Sequence, residues 1–126
     1  MAVTRADIEA VLGMLQKHMA SGDIASWTAL FSDDCEFRNS VMSKPVTGRT
    51  ALRALAESWP RVDNQHEWYA IDGNRLVVGW NERQESMKES APRYRGFSTF
   101  VFDESGLINS YEGMFDTAAV FAAMNA

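Results

Sequence analysis

Cysteine is almost absent from this chain, and the single thiol of Cys35 has no partner for an internal disulfide. Histidine is nearly as scarce: His18 and His66 have no neighbours at metal-ligand spacing, and with Cys35 they form no zinc pattern, so no metal site is expected. Long apolar runs are missing too. Charges interrupt every hydrophobic segment, which argues against a membrane span. The opening Met-Ala-Val-Thr-Arg-Ala-Asp lacks the apolar centre of a secretion leader, and with the lone cysteine this leads to an expected cytoplasmic location. Positive charge is in deficit: 12 Lys and Arg stand against 17 Asp and Glu, so a nucleic-acid backbone would be repelled. The one basic cluster, Arg93-Tyr94-Arg95, reads as a solvated strand end. No phosphate-cradling glycine loop, nucleophile elbow or dinucleotide fingerprint occurs, and no cofactor is expected.

What is present is an ordinary globular balance, with 46% hydrophobic and 23% charged residues over 126 positions, enough for one domain with a sizeable core. Thr4 and Asp7 have capping-box spacing. Ile8, Val11, Leu12, Leu15 and Met19 then recur at helical intervals until Gly22, predicting a helix over Arg5 to Ser21. Asp23 is placed to cap a second helix carrying Trp27, Leu30 and Phe31. Cys35 to Ser40 alternates as a half-buried strand, with Cys35, Phe37 and Asn39 on one face. Lys44 to Gly48 reads as a loop. Thr50 is placed to cap a third helix that presents Leu52, Leu55, Ala56 and Trp59 and ends at Pro60.

From His66 onward the period changes to two. A hairpin of His66 to Ile71 and Arg75 to about Glu85 turns at Asp72-Gly73-Asn74, and a polar loop follows from Ser86 to Pro92. Strands from Tyr94 to Phe102 and Leu107 to Phe115 come next, then a short helix capped at Asp116 or Thr117. Helices followed by antiparallel strands predict an α+β fold: a strongly curved, largely antiparallel sheet, mixed in part, covered by N-terminal helices and enclosing a cavity. Tyr94, Phe100 and Phe102 share one face of their strand, while Phe97 and Val101 share the other. A sheet apolar on both sides must cover its outer one, so a homodimer through the sheet is expected.

The element order, with Ser21-Gly22-Asp23, Leu30-Phe31-Ser32-Asp33-Asp34-Cys35 and Pro45-Val46-Thr47-Gly48-Arg49, resembles the cone-shaped fold of the nuclear transport factor 2-like superfamily, SnoaL-like proteins included. The resemblance spans nearly the whole chain and implies fold more than activity, since that superfamily holds isomerases, cyclases, lyases, hydrolases and members without chemistry. Set against ketosteroid isomerase, the general-base position falls on Asn39, the oxyanion-holding acid on Ser98 and the helix tyrosine near Leu15, so none of the three roles is filled in its usual form. Set against limonene-epoxide hydrolase, tyrosine-x-asparagine falls on Phe37 and Asn39, and arginine-x-aspartate falls on Arg83 and Glu85. The second catalytic aspartate of that enzyme falls on Gly113.

The expected activity is therefore acid-base chemistry on a small hydrophobic, aromatic or polycyclic molecule: isomerisation, cyclisation, elimination or epoxide opening. Glu85 is the expected base, Arg83 its orienting cation, and Asn39 and Tyr111 the donors to developing negative charge. The resemblance implies Phe37, Trp59, Ser98 and Phe100 as walls and an inward Gly113 that leaves room for substrate, and Leu15, His18 and Met19 of the first helix are expected beside them. A ligand-binding or dimerisation domain without turnover is the alternative. Each candidate also has a structural reading: a turn-forming asparagine, an exposed ion pair for Arg83 and Glu85, a core tyrosine, a strand-bending glycine.

Overall fold

A computed structural model describes residues 3–85 and 87–125. Ser86, first residue of the expected polar loop, lies outside them. Helix α1, Arg5–Ser21, begins in the expected capping box and ends at Gly22, whose φ of 73° is the left-handed conformation that glycine tolerates. Helix α2 is Ile24–Thr28, its start capped by the Asp23 side chain. It stops short of the expected extent: Leu30 and Phe31 do not continue it. Phe31 instead opens strand β1, Phe31–Asn39, because the Leu30 carbonyl accepts the Ile108 N–H at 2.9 Å and draws the chain into the sheet.

The segment read as a loop holds a short strand β2, Val46–Thr47, paired antiparallel to β1. Helix α3, Arg49–Glu57, starts at Gly48 with no side-chain cap, so Thr50 does not have the capping role expected of it. Strands β3, Val62–Asp72, and β4, Arg75–Gln84, form the hairpin, with Gly73 at its turn; β3 begins four residues before the expected His66. Strands β5, Tyr94–Phe102, and β6, Ile108–Phe115, follow, and helix α4, Thr117–Met124, is capped by Asp116.

All six strands form one open sheet in the order β2-β1-β6-β5-β4-β3, antiparallel except for the β1–β6 pair. Register shifts on β1, β3 and β5 interrupt the ladders, and such irregularities bend a sheet. On the inner face Ile8, Leu12 and Leu15 from α1, Trp27 from α2 and Leu52 and Ala56 from α3 pack with Phe31, Phe37, Leu76, Val78, Phe100 and Phe102 from the strands. A second, smaller cluster joins Trp80 and Tyr94 to Met87, Ala91 and the α4 residues Ala119, Val120 and Ala123. On the outer face Trp68, Phe97 and Met114 lie in one row across the sheet, each more than a third exposed. Among the described residues no helix is long and apolar enough to cross a membrane.

Candidate active site

A cavity of about 500 Å³ opens on the inner face of the sheet and draws its walls from both clusters. Leu15, Met19 and Trp27 from the helices, Trp59 after α3, and Phe37, Val78, Phe100 and Phe115 from the strands make it largely apolar. Its aromatic side is ordered: Phe37 stacks on Tyr111 with ring centres 4.2 Å apart and planes 7° from parallel, and Phe100 meets Tyr111 nearly edge-on at 5.0 Å.

The polar groups come in two sets. Inward positions on β4 run Leu76, Val78, Trp80, Glu82 and Gln84, set by the alternation of a strand whose first three inward residues are apolar. Glu82 is flanked directly by Asn64 on β3 and Tyr94 on β5. Tyr94 donates its hydroxyl to Glu82 Oε2 at 2.6 Å, and Asn64 Nδ2 donates to Oε1 at 3.0 Å. Burial, and then the charge and hydrogen bond of Glu82, raise the Tyr94 hydroxyl far above its ordinary range, so it stays a donor. Among the described residues Glu82 enters no ion pair.

The second set is a chain of donors. Trp80 Nε1 donates to Ser98 Oγ at 2.9 Å, and Ser98 Oγ lies 2.9 Å from the Tyr111 hydroxyl. Whichever hydroxyl donates within that pair, the other keeps a proton with no partner among the described hydrogen bonds, and both residues line the cavity. Burial above all holds the Tyr111 hydroxyl up at about 12, with the negative charge of Glu82 adding to the rise and the Ser98 bond opposing it. Asn39 also lines the cavity. Its side-chain oxygen accepts the Val41 N–H at 3.1 Å, the turn-forming bond, and its amide nitrogen has no partner among the described hydrogen bonds.

Glycines make room for this arrangement. A Cβ on Gly96 would sit 2.6 Å from the Trp80 ring and 2.4 Å from the Met114 carbonyl, so only glycine lets the indole cross β5 to reach Ser98. A Cβ on Gly113 would sit 2.6 Å from the Tyr111 hydroxyl. The expectation that Gly113 leaves room for substrate is thus corrected, because the tyrosine takes that space and Gly113 does not line the cavity.

Three further expectations change. Arg83 faces away from the cavity, opposite Asp63 in the ladder, and its guanidinium donates to the Met87 carbonyl at 3.3 Å, fastening the turn after β4. Glu85 reaches only the rim, just past the end of β4; its carboxylate is 57% exposed and 3.7 Å from Arg61. His18 is not a lining residue, its place being beyond the inward stripe of α1, whereas His66 does line the cavity. Leu15, Met19, Phe37, Asn39, Trp59, Ser98, Phe100 and Tyr111 all border it. Glu82, Asn64, Tyr94, Trp80 and His66 were missed; for Glu82 the signal was available, since counting in twos from Leu76 through Trp80 arrives at it. Among the described residues no group of three His, Cys, Asp or Glu could hold a metal ion.

Burial lowers the pKa of His66 below its ordinary 6.5. The unfolded chain then takes up that proton more readily than the folded one, so stability should fall as the pH drops below about 6.5. Urea titrations of the parent and His66→Gln between neutral pH and pH 5 check this: the variant should lose less stability over that window, and parallel curves would count against it.

Residues 4–111 match the family described as SnoaL-like domain. The chain belongs to the SnoaL-like family. No curated protein matches this SnoaL-like chain. Among solved structures, an NTF2-like protein of Burkholderia pseudomallei K96243 is similar at 15% identity and a TM-score of 0.84, over 95% of this chain and 98% of that one. An LEH-like epoxide hydrolase of M. tuberculosis is similar at 14% identity and 0.79, over 95% and 90%. SalBIII, an epoxide hydrolase/cyclase-like enzyme of pyran ring formation in salinomycin, is similar at 15% identity and 0.75, over 88% and 92%. At such identities the likeness is one of fold: the SnoaL-like chain shares with them the NTF2-like arrangement of helices on a curved mixed sheet.

Proposed function

We propose that this protein is a cofactor-independent enzyme that moves a proton on a small hydrophobic molecule, by isomerisation, cyclisation or elimination, in the cytoplasm. One observation carries the reading: the Glu82 carboxylate lies in an aromatic-walled cavity, oriented by Tyr94 and Asn64 and, among the described residues, paired with no cation. Each carboxylate oxygen has two lone-pair sites, and one on each is free to take a proton. The free hydroxyl proton of the Ser98–Tyr111 pair and the Asn39 amide are the donors for an oxygen that gains charge. Epoxide opening, named for two of the similar structures, is the variant of the same chemistry that needs an activated water. Proton transfer without water is favoured because the other carboxylates bordering the cavity, Asp63 and Glu85, are paired at its rim with Arg93 and Arg61.

The test uses 5-nitrobenzisoxazole, whose ring opens when a base removes one C–H proton, breaking the N–O bond and leaving a phenolate. Turnover that saturates in the parent and is lost in Glu82→Gln supports the reading; turnover equal to that of free acetate would sink it. A ligand-binding role without turnover is the second reading, favoured by the fact that both Glu82 oxygens already have protein donors. Saturable binding of the same probe with no reaction would select it.

We further propose a homodimer through the outer sheet face, where Trp68, Phe97 and Met114 form an exposed apolar row. Light scattering should give twice the chain mass, and Phe97→Glu should give the monomer. A monomeric parent at high concentration would refute the dimer.

A further inference from the structure

The charge inventory of the cavity is one-sided. Glu82 borders it from an inward position and Glu85 from the rim, whereas Asp63, though at its edge, stands opposite the outward Arg83; among the described residues no lysine or arginine borders it. The rim carboxylates have cations of their own: Asp63 lies 2.8 Å from Arg93 and Glu85 3.7 Å from Arg61. Glu82, on an inward position of β4, is hydrogen-bonded by the neutral donors Asn64 and Tyr94, and among the described residues no cation lies within ion-pair distance of it. His66 also borders the cavity, and its burial lowers its pKa, which disfavours the charged form.

Around that carboxylate stand aromatic rings. Trp80 lies two residues before Glu82 on the same strand face and Tyr94 directly opposite it, with their rings 6.4 Å apart, and Phe115 is 6.3 Å from Trp80. An anion beside the faces and edges of such rings is the chemistry that recognises an organic cation, through the ion pair and the ring quadrupoles together. The net charge of -5 over the whole chain adds to the attraction. A carboxylate or phosphate ester entering the same space would find Arg61 and Arg93 already paired at the rim and would face Glu82 inside.

We propose that the ligand of this cavity is an aromatic molecule carrying a protonated amine, its ammonium paired with Glu82 and its ring against the aromatic wall. The proposal rests on the reading of the cavity as a small-molecule site and names its ligand class. It is compatible with proton transfer, because an ammonium at one carboxylate oxygen leaves the free lone pair of the other for a C–H on the neighbouring carbon.

Three compounds on one frame test it by calorimetry at pH 7 and low salt: 3-(1-naphthyl)propylamine, 3-(1-naphthyl)propanol and 3-(1-naphthyl)propanoate. The amine should bind roughly 10-fold more tightly than the alcohol, and the acid should give no saturable heat. Glu82→Gln should bring the amine down to the alcohol's affinity and leave the alcohol unmoved, which also reports that the variant is folded. Should that variant bind neither, the amine-to-alcohol ratio of the parent decides alone. An amine no tighter than the alcohol, an acid that matches either, or no binding by any of the three overturns the proposal. If the amine preference fails while 5-nitrobenzisoxazole is still turned over through Glu82, the ligand class falls and the catalytic reading stands; the reverse pair of results removes catalysis and keeps the ligand class.

Discussion

Glu82→Gln should lower the turnover of 5-nitrobenzisoxazole by about 10²- to 10⁴-fold, the range in which a positioned general base acts. Glutamine keeps the length of the side chain and can still accept the Tyr94 hydroxyl through its amide oxygen, and Asn64 can turn its amide so that its oxygen accepts from the new NH2, so packing changes little while basicity is removed. The loss should fall on kcat more than on KM, since binding is dominated by apolar walls that the exchange does not touch. Glu85→Gln supplies the contrast. Its carboxylate is 57% exposed at the rim, 3.7 Å from Arg61 and without the Tyr94 and Asn64 donors that orient Glu82, so it is not positioned over a substrate in the cavity and the variant should lose far less. Comparable losses in the two variants would return the base to Glu85 and show that the strand face is not what distinguishes them.

That contrast turns on one residue of register, which is also where the sequence ceased to be readable. Arg83 and Glu85 share a face, and so do Glu82 and Gln84; which face looks inward depends on where the strand's alternation is anchored. Leu76 and Val78 anchor it, but Val77 between them blurs the pattern, and the likeness to an arginine-x-aspartate pair pulled the reading to the wrong face. Asn64 lay before the expected start of its strand. Its place beside Glu82 follows from a ladder that runs from Val62↔Gln84 to Asp72↔Arg75 across a bulge at His66 and Trp68, which no local pattern encodes. By contrast α1 was readable to both ends, because a capping box and a left-handed glycine are local devices. The faces of β5 were readable because Tyr94, Phe100 and Phe102 carry three large rings on one side, against Phe97 and Val101 on the other. The donor half of the site, Asn39, Ser98 and Tyr111, was therefore within reach of the sequence, and the acceptor half was not.

Phe31→Ala should cost about 3–5 kcal/mol of folding stability, the range for removing a buried aromatic ring. The side chain is fully buried, with the Trp27 ring 4.8 Å away and the Phe37 ring 6.3 Å away. Its spacing from Trp27 mimics a helix face. Yet the pairing of Phe31 with Ile108 makes it the first residue of β1, so its ring packs where α2, the sheet and the inner aromatic cluster meet. Truncation leaves a hole that the neighbours fill incompletely, and a domain of this size has only about 5–15 kcal/mol to lose. Urea denaturation should show a lower midpoint with an unchanged slope, and a loss below about 1.5 kcal/mol would mean that the site collapses without cost. The same substitution tests how far the site depends on its core. Trp27 and Phe37 border both the hole and the ligand cavity, and Phe37 stacks on Tyr111, so the folded fraction of the variant should bind apolar ligands more weakly and hold the Ser98–Tyr111 pair less firmly. A variant that is destabilised yet binds and turns over as the parent does would separate the two clusters energetically, leaving Glu82 supported by β3, β4 and β5 alone.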